Sequence, residues 1–183
     1  MSQFSIRIEN IVASASLNIK IPLEKISEHL EGTEYEPEQF PGLVYRMKDP
    51  KAATLIFSSG KIVCTGARSV EDVKKVVKKV VEMLKESKIG EPKNYSTQIE
   101  NIVASAKLES KINLDKIAFE LENSEYEPEQ FPGLVYRMKD PKVAFLLFSS
   151  GKIVCTGVRK VEDIENAVEI VSKKLKSIGA LKK

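Results

Sequence analysis

The 183-residue chain has no tryptophan, two cysteines and one histidine. Cys64, Cys155 and His29 fall in no CxxC, HxxxH or HExxH spacing, so a zinc or iron–sulfur centre lacks ligands and no cofactor is expected. Each cysteine sits in the same run, Lys-Ile-Val-Cys-Thr-Gly, which reads as mid-strand. There a free thiol behaves as a small buried hydrophobe. No apolar run approaches the ~18–20 residues of a membrane helix. Met1 to Arg7 carries no signal-peptide core. The expectation is a soluble, intracellular protein with no membrane partner. Strong charge of either sign is also missing: 29 Lys+Arg against 26 Asp+Glu leave a net +3. That alone does not mark a nucleic-acid binder.

What is present is one unit written twice. Residue n aligned with n+91 needs no gap and gives 54 identities over the 78 positions from Ile8 to Lys85. Glu34 to Lys51 recurs unchanged at Glu125 to Lys142, and Phe57 to Gly66 at Phe148 to Gly157. A period near 90 residues is too long for a solenoid, and two copies suggest a fused pseudo-dimer. The expected repeats are 1–91 and 92–183. Between them Gly90 and Pro92 punctuate a short linker.

One unit reads as β-α-β-β-β-β-α, an α+β class. Gln3 to Ala15 alternates and is β-branched. Pro22 suits the first turn of a helix with Leu23, Ile26 and Leu30 on its apolar face. Thr33 to Glu36, Leu43 to Met47, Ala52 to Phe57 and Lys61 to Thr65 are the remaining strands, with Gly66 expected to break the last. Glu71 and Asp72 open a long helix with the stripe Val73, Val76, Val77, Val80, Met83 and Leu84.

Both faces of these strands are apolar. Ala53, Leu55 and Phe57 share one face and Thr54 and Ile56 the other; Val63 and Thr65 share one face and Ile62 and Cys64 the other. Two helices per unit cover only one face, so the other is left bare. Large bare apolar faces mark binding surfaces. The flanks carry Arg46, Lys61 and Arg68, and in the second copy Arg137, Lys152 and Arg159. An apolar floor between basic rims suits a minor groove between two rows of phosphates.

The runs Glu-Asn-Ile-Val-Ala-Ser, Phe-Pro-Gly-Leu-Val-Tyr-Arg and Phe-Ser-Ser-Gly-Lys-Ile-Val-Cys-Thr-Gly, present in both halves, closely resemble the TATA-box-binding protein family, in its archaeal form. The resemblance implies a saddle with a curved antiparallel sheet of about ten strands and four helices on its convex side. It implies a non-enzymatic general transcription factor that binds the TATA element of promoters in the minor groove and bends it. Four intercalating rings are matched by Phe40, Phe57, Phe131 and Phe148. A central polar pair matches Asn10 and Asn101, with Thr65 and Thr156 beside them. The floor matches Val12, Val44, Leu55 and Val63, repeated as Val103, Val135, Leu146 and Val154. Phosphate contacts match the six basic residues above.

The loops from Glu36 to Phe40 and Glu127 to Phe131 match the family's stirrups. Glu127, Glu129 and Gln130 correspond to the contact with the B-type general transcription factor, through which RNA polymerase is recruited indirectly. A leucine common beside the intercalating ring is Gln130 here. A cytoplasmic, nucleoid-associated protein is expected; a homodimer of the free chain through the concave face is one partner reading, and the sequence leaves the free oligomeric state open.

Plainer readings stand beside these. Phenylalanines usually fill cores. Glu34, Glu36 and Glu38 read as a solvated acidic loop, because a catalytic pair has no partner acid or base nearby. Gly60-Lys61 is not a phosphate loop, since the Gly-x-x-x-x-Gly-Lys pattern is absent. His29 reads as a helix-surface residue. Lys74, Lys75, Lys78 and Lys79 read as a solvated helix face, although Lys74 and Lys78 become Glu165 and Glu169 in the second copy. Such a basic helix could serve a partner or lengthen an anionic contact surface. A DNA-processing enzyme of related saddle-like fold is the alternative, and it would need a catalytic Lys/Asp or clustered carboxylates that do not appear. A third reading is an interaction module that dimerises through the apolar face.

Overall fold

Period-2 alternation of buried and more exposed residues runs along 51–56 and 61–65, and again along 142–147 and 152–156, of the computed structural model, which describes residues 5–182. The order is β1 (Ser5–Ser16), α1 (Leu23–His29), β2 (Thr33–Glu34), β3 (Leu43–Lys48), β4 (Lys51–Ile56), β5 (Lys61–Ala67) and α2 (Val70–Glu86). The second copy follows as β6 (Thr97–Lys107), β7 (Lys111–Ile112), α3 (Leu114–Glu120), β8 (Ser124–Glu125), β9 (Leu134–Lys139), β10 (Lys142–Leu147), β11 (Lys152–Val158), α4 (Val161–Ser177) and β12 (Leu181–Lys182). The β-α-β-β-β-β-α pattern is therefore present. The expected start of β1 at Gln3 lies outside the described residues.

The chain divides into two compact units. One is Asn10–Glu100; the other joins 101–182 to 5–9. In the first, strands run β2-β3-β4-β5-β1; in the second, β6-β11-β10-β9-β8. The pairings within each run are antiparallel. These are ten strands, with two helices in each unit. A small addition escaped the sequence: β12 pairs with β7 in the second unit.

The core of each unit lies on one sheet face. In the first, Ile11, Ala13, Leu43, Ile56, Ile62 and Cys64 are buried, and so is the helix stripe Val73, Val76, Val77, Val80, Met83 and Leu84. Helix α2 starts at Ser69, whose side chain accepts from the Asp72 N–H at 3.0 Å, and Glu71 and Asp72 suit the positive end of its dipole. Thr54, fully buried, donates its hydroxyl to the Tyr45 carbonyl at 3.0 Å, so its polar atom is satisfied. Helix α4 repeats the buried stripe with Ile164, Ala167, Val168, Val171 and Leu175, but Lys160 at its start gives no side-chain cap. Both cysteines are free and buried, and burial pushes each thiol up to about 11.

Candidate nucleic-acid interface

The face of each sheet away from its buried residues is apolar and half-exposed. Register aligns it into rows. Val44 faces Leu55, Leu55 faces Val63, and Val63 faces Ser14. The second unit repeats this with Val135, Leu146, Val154 and Ser105. The neighbouring row runs Arg46, Ala53, Thr65 in one unit, and Arg137, Ala144, Thr156, Val103 in the other. Val12, Val44, Leu55 and Val63 are all half-exposed, as are Val103, Val135, Leu146 and Val154. The expected floor is thus one contiguous surface within each unit. Ala53 belongs to it, on the face that strand parity gives it beside Leu55 and Phe57, and so does its counterpart Ala144.

Asparagine is held at the inner end of that surface by a bulge. Gly66 does not break β5, as expected from the sequence; it sits within it at φ +101°, where the register with β1 shifts. Gly157 does the same at φ +112°. A side chain rarely adopts this conformation, and a bulge leaves a backbone group outside the ladder. That group is used: the Gly66 N–H donates to Asn10 Oδ1 at 2.6 Å, and the Gly157 N–H to Asn101 Oδ1 at 2.7 Å. An N–H can only donate, so the amide orientation is fixed with oxygen inward and nitrogen outward. Asn10 Nδ2 donates to Thr65 Oγ1 at 3.1 Å, and Asn101 Nδ2 to Thr156 Oγ1 at 2.9 Å. Each amide nitrogen keeps a second N–H for an acceptor arriving from outside.

The four phenylalanines form two pairs. Phe40 and Phe57 lie with ring centres 5.9 Å apart and planes at 64°, edge to face; Phe131 and Phe148 lie 5.9 Å apart at 68°. Phe40 is 41% and Phe131 43% exposed, so the core reading fails for them. Their loops are tied down. The Glu36 carbonyl accepts from both the Gln39 and Phe40 N–H groups at 2.9 Å, and Glu127 repeats this for Gln130 and Phe131. Gly42 makes room for the rings: a Cβ there would stand 2.8 Å from Phe40 Cε2 and 3.0 Å from Phe57 Cε1. At Gly133 the distances are 2.7 and 2.9 Å.

The six cations separate into two kinds. Lys61, Arg68, Lys152 and Arg159 are exposed and make no ion pair among the described residues. Arg46 Nη1 donates to Glu34 Oε1 at 2.9 Å, and Arg137 Nη1 to Glu125 Oε1 at 3.2 Å. Sequence reasoning missed these pairs, because twelve residues separate the partners and only strand register brings them together. It also missed Ser14, which donates to Glu100 at 2.6 Å, and Ser105, which donates to Glu9 at 2.9 Å.

Glu127, Glu129 and Gln130 are exposed on the second loop, as are Glu36 and Glu38 on the first. His29 is exposed at the end of α1. Lys74 and Lys78 are exposed on α2 and meet no carboxylate among the described residues; Glu169 on α4 pairs with Lys173 at 3.3 Å. Among the described residues no cluster of three His, Cys, Asp or Glu side chains could hold a metal ion. No described helix is long and apolar enough to cross a membrane.

Comparison with known proteins gives the family. The family model for transcription factor TFIID (or TATA-binding protein, TBP) matches residues 5–87 and again 96–178. The chain is 56% identical over 169 residues to a TATA-box-binding protein of Methanobrevibacter smithii, covering 92% of this chain and 93% of that one. It is 52% identical over 181 residues to one of Methanothermobacter thermautotrophicus, covering 99% and 100%. The solved structure of Methanococcus jannaschii TBP superposes with a TM-score of 0.89 at 48% identity, over 94% of this chain and 99% of that one. The chain belongs to the TATA-box-binding protein family.

Proposed function

We propose that the open faces of the two units bind the TATA element of promoter DNA from the minor groove, one half-element per unit. The observation that carries this is the fixed asparagine on an apolar floor. Asn10 and Asn101 present N–H donors, and the minor groove of an A·T pair in either orientation offers only acceptors, A N3 and T O2. A G·C pair adds an N2 amino group, a donor that would face Val12, Leu55 or Val63 with no partner. The floor and the amides therefore favour A·T for the same reason.

The ring pairs supply the bend. Rings held in fixed loops at the surface insert between base pairs, unstack the step and kink the duplex. Flexible TA steps are the easiest to deform, which adds selectivity at positions no side chain touches. Lys61, Arg68, Lys152 and Arg159, with Arg46 and Arg137, take the phosphates.

On this reading the functional repeats are 1–91 and 92–183, and the family is one of DNA-binding transcription factors, not enzymes. The second stirrup, with Glu127, Glu129 and Gln130, holds the B-type factor, which brings RNA polymerase to the promoter. The free chain hides its apolar faces in a homodimer.

A gel-shift of the full chain with an A·T-rich element against a G·C-rich one of equal length tests the reading. Selective binding of the first supports it. Equal binding of both contradicts it, and no binding of either favours a protein-interaction module.

A further inference from the structure

Phe119 is the most exposed large hydrophobic residue among those described, at 91%. The others are Phe40 with Phe131 and Val70 with Val161, each a pair at matching positions of the two copies. Phe119 has no such partner: the matching position of the first copy is Glu28, also exposed. The helix accounts for the exposure. Helix α3 buries Leu114 and Ile117, and Phe119 lies about 200° around the helix from Ile117. The ring therefore adds nothing to the core.

Helix α3 packs against β8, and β8 runs into the second stirrup. At the start of β8 the Ser124 hydroxyl donates to the Leu121 carbonyl at 2.8 Å, tying the strand to the end of the helix. The stirrups themselves do not differ, since Glu34 to Lys51 recurs unchanged at Glu125 to Lys142. Charge does not separate the two sides either: 23–42 and 114–133 each contain six carboxylates. Six positions differ between those segments, and only at Glu28 and Phe119 does a large apolar side chain replace a charged one.

We propose that Phe119 is the anchor by which a protein partner takes the second stirrup and leaves the first. The partner surface it fits has an apolar socket ringed by Lys and Arg. The proposal rests on the reading that the second stirrup holds the B-type factor.

Two kinds of contact divide the work. Aromatic side chains dominate interface energetics when they leave water for a packed pocket. Around Phe119, Asp115, Glu120, Glu122, Glu127 and Glu129 are exposed and make no ion pair among the described residues, and Lys116 is the single cation of 114–133. Such carboxylates draw in a basic surface and set its orientation more than they add to affinity. On the first side the same basic surface meets a similar field, but Glu28 offers the socket a carboxylate, which is costly to desolvate. Attraction is shared by the two sides, and the anchor is not.

The test is a gel supershift of the full chain on a duplex whose A·T-rich element has the same flank on both sides, with the cognate B-type factor as probe. In the wild type, Glu127→Arg/Glu129→Arg is expected to abolish the supershift and Glu36→Arg/Glu38→Arg to leave it. A supershift that ignores both changes, or that needs the first loop, overturns the second-stirrup reading itself, before any helix variant is made. Phe119→Ala is expected to weaken factor binding about tenfold or more, at the wild-type melting temperature and with unchanged affinity for the duplex alone. In the exchanged chain, Glu28→Phe/Phe119→Glu, dependence is expected to move to Glu36 and Glu38. Unchanged factor binding in Phe119→Ala overturns the proposal. So does an exchanged chain that still depends on Glu127 and Glu129, or that takes the factor through neither loop.

Discussion

The side-chain oxygen of Asn10 lies 2.6 Å from the backbone nitrogen of Gly66, at the point where β5 bulges away from its register with β1. This one bond decides which end of the amide faces outward. It makes Asn10, and Asn101 by the same bond to Gly157, a donor at the surface. Aspartate can accept from the same N–H, yet has nothing to donate. The Asn10→Asp/Asn101→Asp variant is therefore expected to fold with the wild-type melting temperature and to lose about tenfold or more in A·T affinity per site, as a missing base contact costs about 1–3 kcal/mol. Anisotropy titration measures the loss. An unchanged A·T affinity counts against the assignment of these residues.

Gly42 and Gly133 are expected to act through the rings they admit. The Gly42→Ala methyl would sit 2.8 Å from Phe40 and 3.0 Å from Phe57, so one ring has to move. Both changes together are expected to reduce DNA bending, read as energy transfer between dyes at the duplex ends. The effect should disappear when Phe40 and Phe131 are already alanine, because the ring to be displaced is gone. Reduced bending that persists in that background would instead point to the loop backbone.

The thiols of Cys64 and Cys155 are buried and pushed up to about 11 from an ordinary 9.0. At neutral pH they are expected to resist a thiol reagent until the chain unfolds, since the thiolate is the reactive form. The sign of the pH effect follows. Below pH 9 both folded and unfolded thiols keep their protons. Between pH 9 and 11 only the unfolded chain loses them, so stability falls as pH rises. Melting curves across that range should show a decline that the Cys64→Ala/Cys155→Ala variant lacks.

Near-identity of the halves has a consequence for orientation. Every residue assigned to DNA has the same residue type at the matching position of the other copy, from Asn10 and Asn101 to Arg68 and Arg159. The isolated chain is therefore expected to sit on a TATA element in both directions with similar populations. Site-specific cleavage from a tethered reagent measures this. A strong one-sided pattern without any other factor would refute it.

Much of this surface was legible in the sequence because it depends on period-2 alternation. Leu55 and Val63 alternate with Thr54, Ile56, Ile62 and Cys64, and that parity alone separates the open face from the core. The repeat then doubles every assignment. Three features were not legible, for one reason: they depend on register. Gly66 reads locally as a breaker, and only its pairing with β1 shows that it is a bulge whose N–H meets Asn10. Glu34 reads as a loop carboxylate, and only the pairing of β2 with β3 sets it beside Arg46. The β7–β12 pair joins residues some seventy positions apart, each in a run of only two.

The account rests on reading A·T pairs from the minor groove, and substituting inosine·cytosine for A·T pairs in the element tests that most directly. Inosine lacks the N2 amino group, so an I·C pair keeps the minor-groove pattern of A·T while carrying the major-groove pattern of G·C. Binding to the I·C element is expected to stay close to that of the A·T element and far above that of the G·C one. Binding that falls to the G·C level would show that the protein reads the major groove, and would contradict the account.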